Sequence, residues 1–279
     1  MENVRARLTA LAPLPWHVRI EGPSGSGKGL AARELHRLSP LRDGPFVQCS
    51  VNALPDGIEV AELVGYARGA FTGAVSDRPG LFEAANGGTL FVDEIATATP
   101  RTQLALLQLV DEGMFQRLGE RRSRKVSVRI VFATNADLEK AVKAGQFRED
   151  LFHRMGVLVV QMPGLSDHRE DIPELAPTIL SRKAREAARE CPPLTQVALD
   201  RLLAFDWPGN VRQLEHAMEH YVAFGKLPDL VRRPGRKRSE WEGELEETLR
   251  RNAGEVSASA RALRVSRKTL YKVLKKRGA

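Results

Sequence analysis

The stretch Gly22-Pro23-Ser24-Gly25-Ser26-Gly27-Lys28 decides the fold. It follows a short β-rich run, Trp16-His17-Val18-Arg19-Ile20, and it precedes a segment with helical apolar spacing from Leu30 to Leu38. Its glycines let backbone N–H groups turn toward phosphate oxygens, and the N-terminus of the following helix adds positive potential. The sequence therefore predicts a phosphate-binding loop (P-loop) at the carboxyl end of a strand.

The P-loop supplies a first set of candidate nucleotide contacts. Lys28 places a positive point charge where the β- and γ-phosphates bind. Gly29 occupies the position at which P-loop proteins place a Ser or Thr that holds Mg²⁺, so Mg²⁺ must depend on phosphates, water and acidic residues elsewhere. The candidate nucleotide-binding residues of the loop are Gly22, Ser24, Gly25, Ser26, Gly27, Lys28 and Gly29.

Two carboxylates end a second strand pattern, the apolar run Thr89-Leu90-Phe91-Val92. Ligands of α/β sheets bind at the carboxyl ends of strands, which is where Asp93 and Glu94 are predicted to lie. We expect Asp93 to hold Mg²⁺ and Glu94 to polarise the water that attacks the γ-phosphate. A solvated turn after the strand is the simpler interpretation, but the P-loop upstream argues against it.

Strand and helix patterns alternate through the first two-thirds of the chain, which predicts a parallel sheet with helices on both faces. Further strands are expected at 46–51, 126–132 and 157–160, and a short helix at 2–10. From about Arg169 the pattern is all-helical, and three segments with i, i+3, i+4 apolar spacing predict a small helical lid. These segments are 171–189, 196–204 and 210–224, with Asn210 expected to cap the last helix.

The composition is that of an ordinary soluble protein, with 42% apolar and 28% charged residues among 279. Cys49 and Cys191 are too few for a disulfide framework and lack the spacing of metal ligands. No stretch is long and apolar enough for a membrane span, and Met1-Glu2-Asn3 does not begin a signal peptide. We therefore expect a cytoplasmic protein with no membrane partner.

The net charge of +8 lies in the tail. Residues 231–279 hold 15 Lys and Arg against 6 Asp and Glu, whereas the other residues hold 28 against 29. The apolar spacing at 241–249, 256–263 and 270–274 predicts three short helices, and the last two form a helix-turn-helix pattern. The candidate DNA contacts are Ser266, which would also cap the last helix, and Arg267, Lys268, Thr269, Lys272, Lys275 and Lys276. A basic amphipathic helix that does not bind DNA is the alternative.

One hexamer, Gly69-Ala70-Phe71-Thr72-Gly73-Ala74, is too rich in small residues to form core. Glycines at both flanks favour a mobile loop, with Phe71 as its one large apolar side chain. An exposed aromatic on such a loop is typical of a contact with a partner.

The segment 62–68 followed by this hexamer resembles the bacterial enhancer-binding activators of sigma-54 RNA polymerase, and the resemblance covers nearly the whole chain. It implies an AAA+ ATPase that uses ATP and Mg²⁺ and assembles head to tail into a ring. It also implies a Fis-type helix-turn-helix that binds upstream double-stranded DNA. The hexamer would carry ATP-driven motion from the ring to the sigma factor of the sigma-54 RNA polymerase holoenzyme.

The same resemblance implies further site residues. Asn135 matches the first sensor of the γ-phosphate, and Arg212 in 207–215 matches the second sensor. Arg148 and Arg154 match the arginine-finger segment, which completes the neighbouring subunit's site. Ser50 stands where the family has a switch Asn that pairs with the catalytic glutamate, and an asparagine follows at position 52. The segments that enclose adenine in the family are shortened here to the helix at 2–10, so the adenine pocket is expected to be thinner than usual or the chain to begin late.

We therefore expect an ATP-hydrolysing transcription activator with four parts. They are an AAA+ α/β core at 1–168, a helical lid at 169–226, a basic linker at 227–240 and a helix-turn-helix domain at 241–279. A DNA-binding regulator that binds nucleotide without productive hydrolysis is the second candidate, favoured by Gly29, Ser50 and the short N-terminal segment and opposed by the GAFTGA hexamer, Glu94 and the two arginines of the finger segment. Another AAA+ machine, such as a replication initiator or helicase loader, is the third, and the GAFTGA hexamer argues against it.

Overall fold

A parallel five-stranded sheet organises the first 161 residues of the computed structural model, which describes residues 2–55, 57–156, 158–230, 241–252, 255–263, 265, 270 and 273–274. The strands are β1 (Val18–Glu21), β2 (Phe46–Ser50), β3 (Gly65–Tyr66), β4 (Arg78–Pro79), β5 (Thr89–Asp93), β6 (Met114–Gln116), β7 (Ser123–Lys125), β8 (Arg129–Thr134) and β9 (Val159–Gln161). The sheet has the order β2-β5-β8-β1-β9, with every neighbouring pair parallel. The predicted α/β architecture is confirmed.

Helices cover both faces of this sheet. The helices of the described residues are α1 (Glu2–Leu11), α2 (Lys28–Arg37), α3 (Glu59–Val64), α4 (Leu81–Ala84), α5 (Pro100–Glu112), α6 (Leu138–Lys143), α7 (Glu149–Arg154), α8 (Ile172–Glu186), α9 (Gln196–Ala204), α10 (Asn210–Phe224), α11 (Leu245–Arg251) and α12 (Val256–Ala262). Of these, α1 to α7 pack with the sheet. Leu90 and Val92 on β5 pack in one core with α5 and α7, whereas Phe91 between them packs in the other core with α1 and α2. This alternation is the two-residue period of a strand buried on both faces.

The predicted helical lid is present as α8, α9 and α10, which pack around a separate core. Trp207 is 1% exposed at its centre, and its indole Nε1–H donates to the carbonyl of Leu202 over 2.8 Å. The observed bounds of α9 and α10 match the expected segments 196–204 and 210–224, and α8 ends at Glu186, three residues before the predicted end. The lid is therefore a unit with its own apolar core beside the sheet.

Two antiparallel hairpins, β3–β4 and β6–β7, lie outside the main sheet. The strand expected at 126–132 is observed as β8 and begins at Arg129, because residues 126–128 connect it to the β6–β7 hairpin, in which Met114 pairs with Lys125. The sequence pattern did not predict this second hairpin, since each of its strands has only three residues. The turn of this hairpin packs against the hexamer loop, where Gly119 lies next to Ala70.

Arg129 fixes the N-terminal helix to the sheet. Its side chain is buried, and its guanidinium donates to the carbonyls of Leu11, Ala12 and Trp16 over 2.8, 2.7 and 3.2 Å. These carbonyls belong to the end of α1 and the turn after it, where a cation also interacts favourably with the helix dipole. A buried arginine therefore positions α1 next to the P-loop helix.

The described part of the tail contains α11 and α12, with Trp241, Leu245 and Leu263 at their shared core. All seven candidate DNA contacts lie outside the described residues, as does 231–240 in the expected linker. Among the helices of the described residues, none is long and apolar enough to cross a membrane.

Candidate nucleotide site and partner loop

The P-loop joins β1 to α2, as the sequence predicts, and Lys28 is the first residue of the helix. The side chain is 6% exposed, and its ammonium donates to the carbonyls of Gly22 over 3.0 Å and Pro23 over 3.3 Å. These bonds hold the cation over the loop, where the backbone N–H groups at the start of α2 also point. The seven candidate P-loop residues therefore lie together at one turn between strand and helix.

Four charges converge at this turn. Burial lowers the pKa of the Lys28 ammonium; Glu94 and Asp93 act against this shift, and Arg212 reinforces it. The two carboxylates come from the end of β5 and Arg212 from the lid helix α10. The structure thus brings together the acidic pair, the loop lysine and the second-sensor arginine that the sequence singled out.

Asp93 and Glu94 end β5, next to the P-loop at the carboxyl edge of the sheet. Glu94 has φ of 55°, in the left-handed region, and its backbone N–H donates to Asp93 Oδ1 over 3.0 Å. No group of three or more His, Cys, Asp or Glu in the described residues could hold a metal ion by itself. A Mg²⁺ ion at this site would therefore use one or two carboxylates with phosphate oxygens and water, as Mg²⁺ sites in nucleotide-binding proteins do.

Gly29 leaves room beside the phosphate-binding helix. A Cβ atom built at Gly29 would lie 3.8 Å from the ring of Phe91, which is ordinary contact. The absence of a hydroxyl at this position therefore reflects the residue type and not a lack of space. The protein has no P-loop hydroxyl for Mg²⁺ at position 29, and the carboxylates near Lys28 are those of Asp93 and Glu94.

A largely apolar cavity of about 380 Å³ lies beside the P-loop. It is lined by Val4 and Leu8 from α1, by Leu30 from α2 and by residues that lead into the lid. Ser26 also lines it, with a buried hydroxyl that has no hydrogen-bond partner in the described structure. An orphaned hydroxyl at the rim of an apolar cavity fits a ligand with an apolar base and polar phosphates. Helix α1, short as it is, forms one wall of this cavity.

Asn210 joins the lid to the P-loop and does not cap its helix as predicted. It is 5% exposed with φ of 52°; its Oδ1 accepts from the backbone N–H of Leu165 and its Nδ2 donates to the carbonyl of Ser24, each over 2.9 Å. The Asn210 side chain therefore contacts the P-loop and the segment before the lid. The N-cap position of α10 is occupied by Gly209, which has no side chain that could cap the helix. The preference of Asn for helix N-caps led to a wrong prediction here, because the Asn210 amide forms hydrogen bonds with Leu165 and Ser24 and not with the first turn of its own helix.

Arg212 lies two residues further along α10 and also reaches the P-loop. Its backbone N–H donates to the carbonyl of Gly25 over 3.3 Å, and its guanidinium approaches the Ser24 hydroxyl at 3.4 Å. Gly25 has φ of 75°, and a Cβ there would lie 2.5 Å from the carbonyl oxygen of Gly209. Only glycine permits the lid to approach the loop this closely.

Asn135 follows β8 at the same sheet edge. The carbonyl of the preceding Thr134 accepts from the backbone N–H of Gly22 over 3.2 Å, which ties the end of β8 to the beginning of the P-loop. Asn135 is exposed and lines an open cavity of about 900 Å³ with Gly22 and Pro23. The candidate first sensor is therefore a neighbour of the loop.

Arg148 and Arg154 lie at the two ends of α7 and face different partners. Arg148 pairs with Asp150 over 2.7 Å, and its backbone N–H donates to Gln103 Oε1 over 2.8 Å. Arg154 pairs with Asp111 over 2.9 Å and lines a groove with Trp16. Trp16 comes before β1, so this groove lies near the amino end of the strand whose carboxyl end carries the P-loop. Both guanidiniums are exposed and are oriented by ion pairs outside the P-loop of their own chain.

The hexamer 69–74 forms the end of the β3–β4 hairpin. Gly69 donates to the carbonyl of Ala74 over 2.8 Å, and Ala74 to that of Phe71 over 3.0 Å. Phe71 is 41% exposed because one edge of its ring packs on Tyr66 at a centroid distance of 4.9 Å. Thr72 is exposed at the tip, and Ala74 is buried. Val75, directly after the hexamer, is 81% exposed and is a second exposed apolar side chain near Phe71 in the sequence.

The β6–β7 hairpin supports this loop, and the sequence interpretation missed it. Leu118 donates its backbone N–H to the carbonyl of Gly65 and accepts from Ala67, over 3.0 and 2.9 Å. A bidentate pair of 2.6 and 2.8 Å joins Arg117 in this hairpin to Glu83 on α4. The two hairpins therefore form one hydrogen-bonded projection from the sheet.

The comparisons with known proteins agree with this arrangement. Residues 1–161 match the Sigma-54 interaction domain and residues 166–230 the AAA+ ATPase lid domain. The transcriptional regulatory protein ZraR of Salmonella typhimurium is 38% identical over 97% of this chain and 65% of its own length. The C4-dicarboxylate transport transcriptional regulatory protein DctD of Pseudomonas aeruginosa is 39% identical over 100% of this chain and 63% of its own length. The chain thus spans a little under two-thirds of either relative.

The solved structures give the same result. NtrX from Brucella abortus in complex with ATP has a TM-score of 0.74 and 32% identity, with 100% of this chain and 68% of NtrX covered. The complex of NtrX with ADP gives a TM-score of 0.75. The chain carries an AAA+ P-loop core and its lid, and it belongs to the family of sigma-54-dependent transcriptional activators.

Proposed function

We infer that this protein is an ATP-hydrolysing activator that forms a ring and remodels sigma-54 RNA polymerase at promoters. One observation carries the proposal: the P-loop with Lys28, Asp93 and Glu94 at the sheet edge coexists with the GAFTGA hexamer at the end of a separate hairpin. The phosphate site can hydrolyse a nucleotide and the hexamer can contact a partner, and both belong to the segment 1–161 that matches the Sigma-54 interaction domain. The family match supports sigma-54 as that partner.

The residues of the phosphate site have distinct roles in this proposal. Lys28 and the P-loop N–H groups bind the phosphates, and Asp93 holds Mg²⁺, which would neutralise charge on the β- and γ-phosphates. Glu94 positions and polarises the attacking water. Asn135 and Arg212 read the state of the γ-phosphate from the sheet and from the lid. The contacts of Arg212 and Asn210 with the P-loop support a lid that responds to nucleotide.

A neighbouring subunit completes the site. Arg154 lies near the amino end of β1, whereas the P-loop lies at its carboxyl end, so the guanidinium faces away from its own nucleotide. An exposed cation placed this way serves another copy of the chain in a head-to-tail ring, where it would stabilise transition-state charge in trans. Arg148, at the other end of α7, would make a separate contact across the same interface.

The hexamer then acts as the lever. Its exposed tip, Phe71 and Thr72, contacts the sigma factor, and the β6–β7 hairpin supports its base. A nucleotide drives motion only if its states differ in affinity for different positions of this loop. The chain would bind upstream DNA through 241–279, behind the linker 227–240, with the core at 1–168 and the lid at 169–226. Its partners, DNA and RNA polymerase, place it in the cytoplasm.

Direct binding to the sigma factor tests the proposal. Purified sigma-54 should form a stable complex with the full chain in the presence of a transition-state analogue of ATP, and not with ADP. Native gel electrophoresis with labelled sigma-54 measures this. Equal binding with ADP and with the analogue, or binding with neither, would contradict the lever.

The second candidate, a regulator that binds nucleotide without productive hydrolysis, is favoured by Gly29 and Ser50. Steady-state release of phosphate at saturating Mg²⁺ separates the two candidates. Turnover that rises more than in proportion to protein concentration supports the ring ATPase, and no turnover at any concentration supports the regulator.

A further inference from the structure

We propose that Asn52 and Thr97 form a hydrogen-bonded relay that positions Glu94 for catalysis. The inference rests on the proposed ATP hydrolysis and adds two positioning residues to it. Both follow the carboxyl ends of neighbouring strands: Asn52 lies in the short 3-10 turn Val51–Ala53 after β2, and Thr97 in the turn Ile95–Thr97 after β5. The side chains of Asn52 and Thr97 meet in a direct hydrogen-bonded contact.

Thr97 holds the backbone of Glu94 directly. Its hydroxyl donates to the Glu94 carbonyl over 2.8 Å, and its backbone N–H donates to the same oxygen over 3.0 Å. On the other side of the residue, the Glu94 N–H is bonded to Asp93 Oδ1. Both backbone polar groups of Glu94 are therefore engaged, and together they fix a left-handed conformation that a glutamate adopts only when its surroundings impose it.

The protons decide the direction of the relay. A threonine hydroxyl has one proton, and a backbone carbonyl can only accept, so the Thr97 proton goes to Glu94. The contact with Asn52 must then be a bond that the Thr97 oxygen accepts. An asparagine amide presents either its oxygen or its NH₂ group after a half-turn, so Asn52 donates through Nδ2. The order is Asn52 N–H to Thr97 O–H to the Glu94 carbonyl.

Strand register explains why Asn52 takes this position. β2 lies beside β5 with Ser50 opposite Asp93, so a side chain at position 50 is level with the metal carboxylate. Asn52, two residues further, is level with the turn that follows Glu94. The amide at position 52 therefore supports the backbone of the glutamate through Thr97.

Four single variants of the full chain test the relay by steady-state ATP hydrolysis at saturating Mg²⁺. Thr97→Val removes the hydroxyl at nearly constant shape and should lower kcat about tenfold, the usual effect of losing a group that orients a reacting residue. The KM for ATP should stay unchanged because the P-loop is intact. Thr97→Ser keeps the hydroxyl and should retain most of kcat. Thr178→Val is the matched control: its exposed hydroxyl bonds the carbonyl of Glu174 over 2.8 Å in the lid, and kcat should not change.

The fourth variant, Asn52→Asp, tests the direction. A carboxylate can only accept, so it takes the Thr97 proton away from Glu94, and kcat should fall about as far as in Thr97→Val. In the double variant Thr97→Val/Asn52→Asp, kcat should be no lower than in Thr97→Val alone, because the hydroxyl on which the aspartate acts is already absent. A further loss would assign the effect to the added charge and overturn the relay, as would parental kcat in either Thr97→Val or Asn52→Asp. If the parent protein itself shows no turnover at any concentration, the proposed function fails first, and the two failures are distinguishable.

Discussion

Asn210→Ala is the most informative substitution outside the phosphate site, because Asn210 is the joint between lid and P-loop. The change deletes an acceptor for the buried N–H of Leu165 and a donor for the carbonyl of Ser24. It also places alanine at φ of 52°, where asparagine is tolerated better. Loss of the bond to Leu165 should therefore lower the stability of the fold, and loss of the bond to Ser24 should weaken the contact between the lid and the P-loop.

The magnitudes follow from these contacts. An orphaned buried N–H costs about 1–3 kcal/mol, and the left-handed backbone adds about 1 kcal/mol, so the free energy of unfolding should fall by roughly 2–4 kcal/mol. The bond to Ser24 crosses from lid to loop and is worth about 1 kcal/mol net, which corresponds to about a fivefold increase in the Kd for ATP. Denaturant unfolding and titration with a fluorescent ATP analogue measure the two effects separately.

Two companion variants separate the two bonds. Asn210→Asp keeps the acceptor for Leu165 and loses the donor to Ser24, so ATP affinity should fall while stability stays near that of the parent. Asn86→Ala is the control: this exposed asparagine accepts from the N–H of Ser127 over 2.9 Å, away from the nucleotide site, and ATP affinity should not change. Parental ATP affinity in both Asn210 variants would refute the role of this residue as the joint.

Three further predictions concern the site and the tail. Lys28→Ala should abolish ATP binding, whereas Glu94→Ala should bind ATP and hydrolyse at least about a hundredfold more slowly, as titration and phosphate release will show. Mixing inactive Arg154→Ala with inactive Glu94→Ala should restore part of the turnover, because one mixed interface carries both intact groups; no recovery despite confirmed subunit exchange would exclude action in trans. Deleting residues 240–279 should remove specific DNA binding and leave hydrolysis largely intact, and DNA binding by the full chain should weaken steeply with salt in a footprinting titration.

The sheet and the lid could be predicted from the sequence because their signals are local. Strands such as β5 are continuous apolar runs, and α9 and α10 show a clear helical period, so their bounds agree with the structure to within a residue. The P-loop, Asp93 and Glu94 meet at one sheet edge for a topological reason, since parallel strands bring all their carboxyl ends together.

The remaining features depend on contacts between segments distant in sequence. The β6–β7 hairpin has strands of three residues, and its pairing with Gly65 becomes visible only when both hairpins are placed. Asn210 lies at the start of a helix, where the sequence preference of Asn predicts an N-cap. Its amide bonds Leu165 and Ser24 instead, and Ser24 is 186 positions away in the sequence. The relay from Asn52 to Glu94 likewise requires the register of β2 against β5.

The central claim is that ATP hydrolysis and contact with the sigma factor are separate tasks of one chain, joined by the hexamer loop. Thr72 is exposed at the tip of the loop, has no charge and belongs to a hairpin outside the sheet that carries Lys28. Formation of open complexes on a sigma-54 promoter, measured by permanganate footprinting beside ATP turnover of the same preparation, tests the claim most directly. Thr72→Ala should hydrolyse ATP at close to the parental rate and open no promoter. Promoter opening by Thr72→Ala at the parental level would contradict the account.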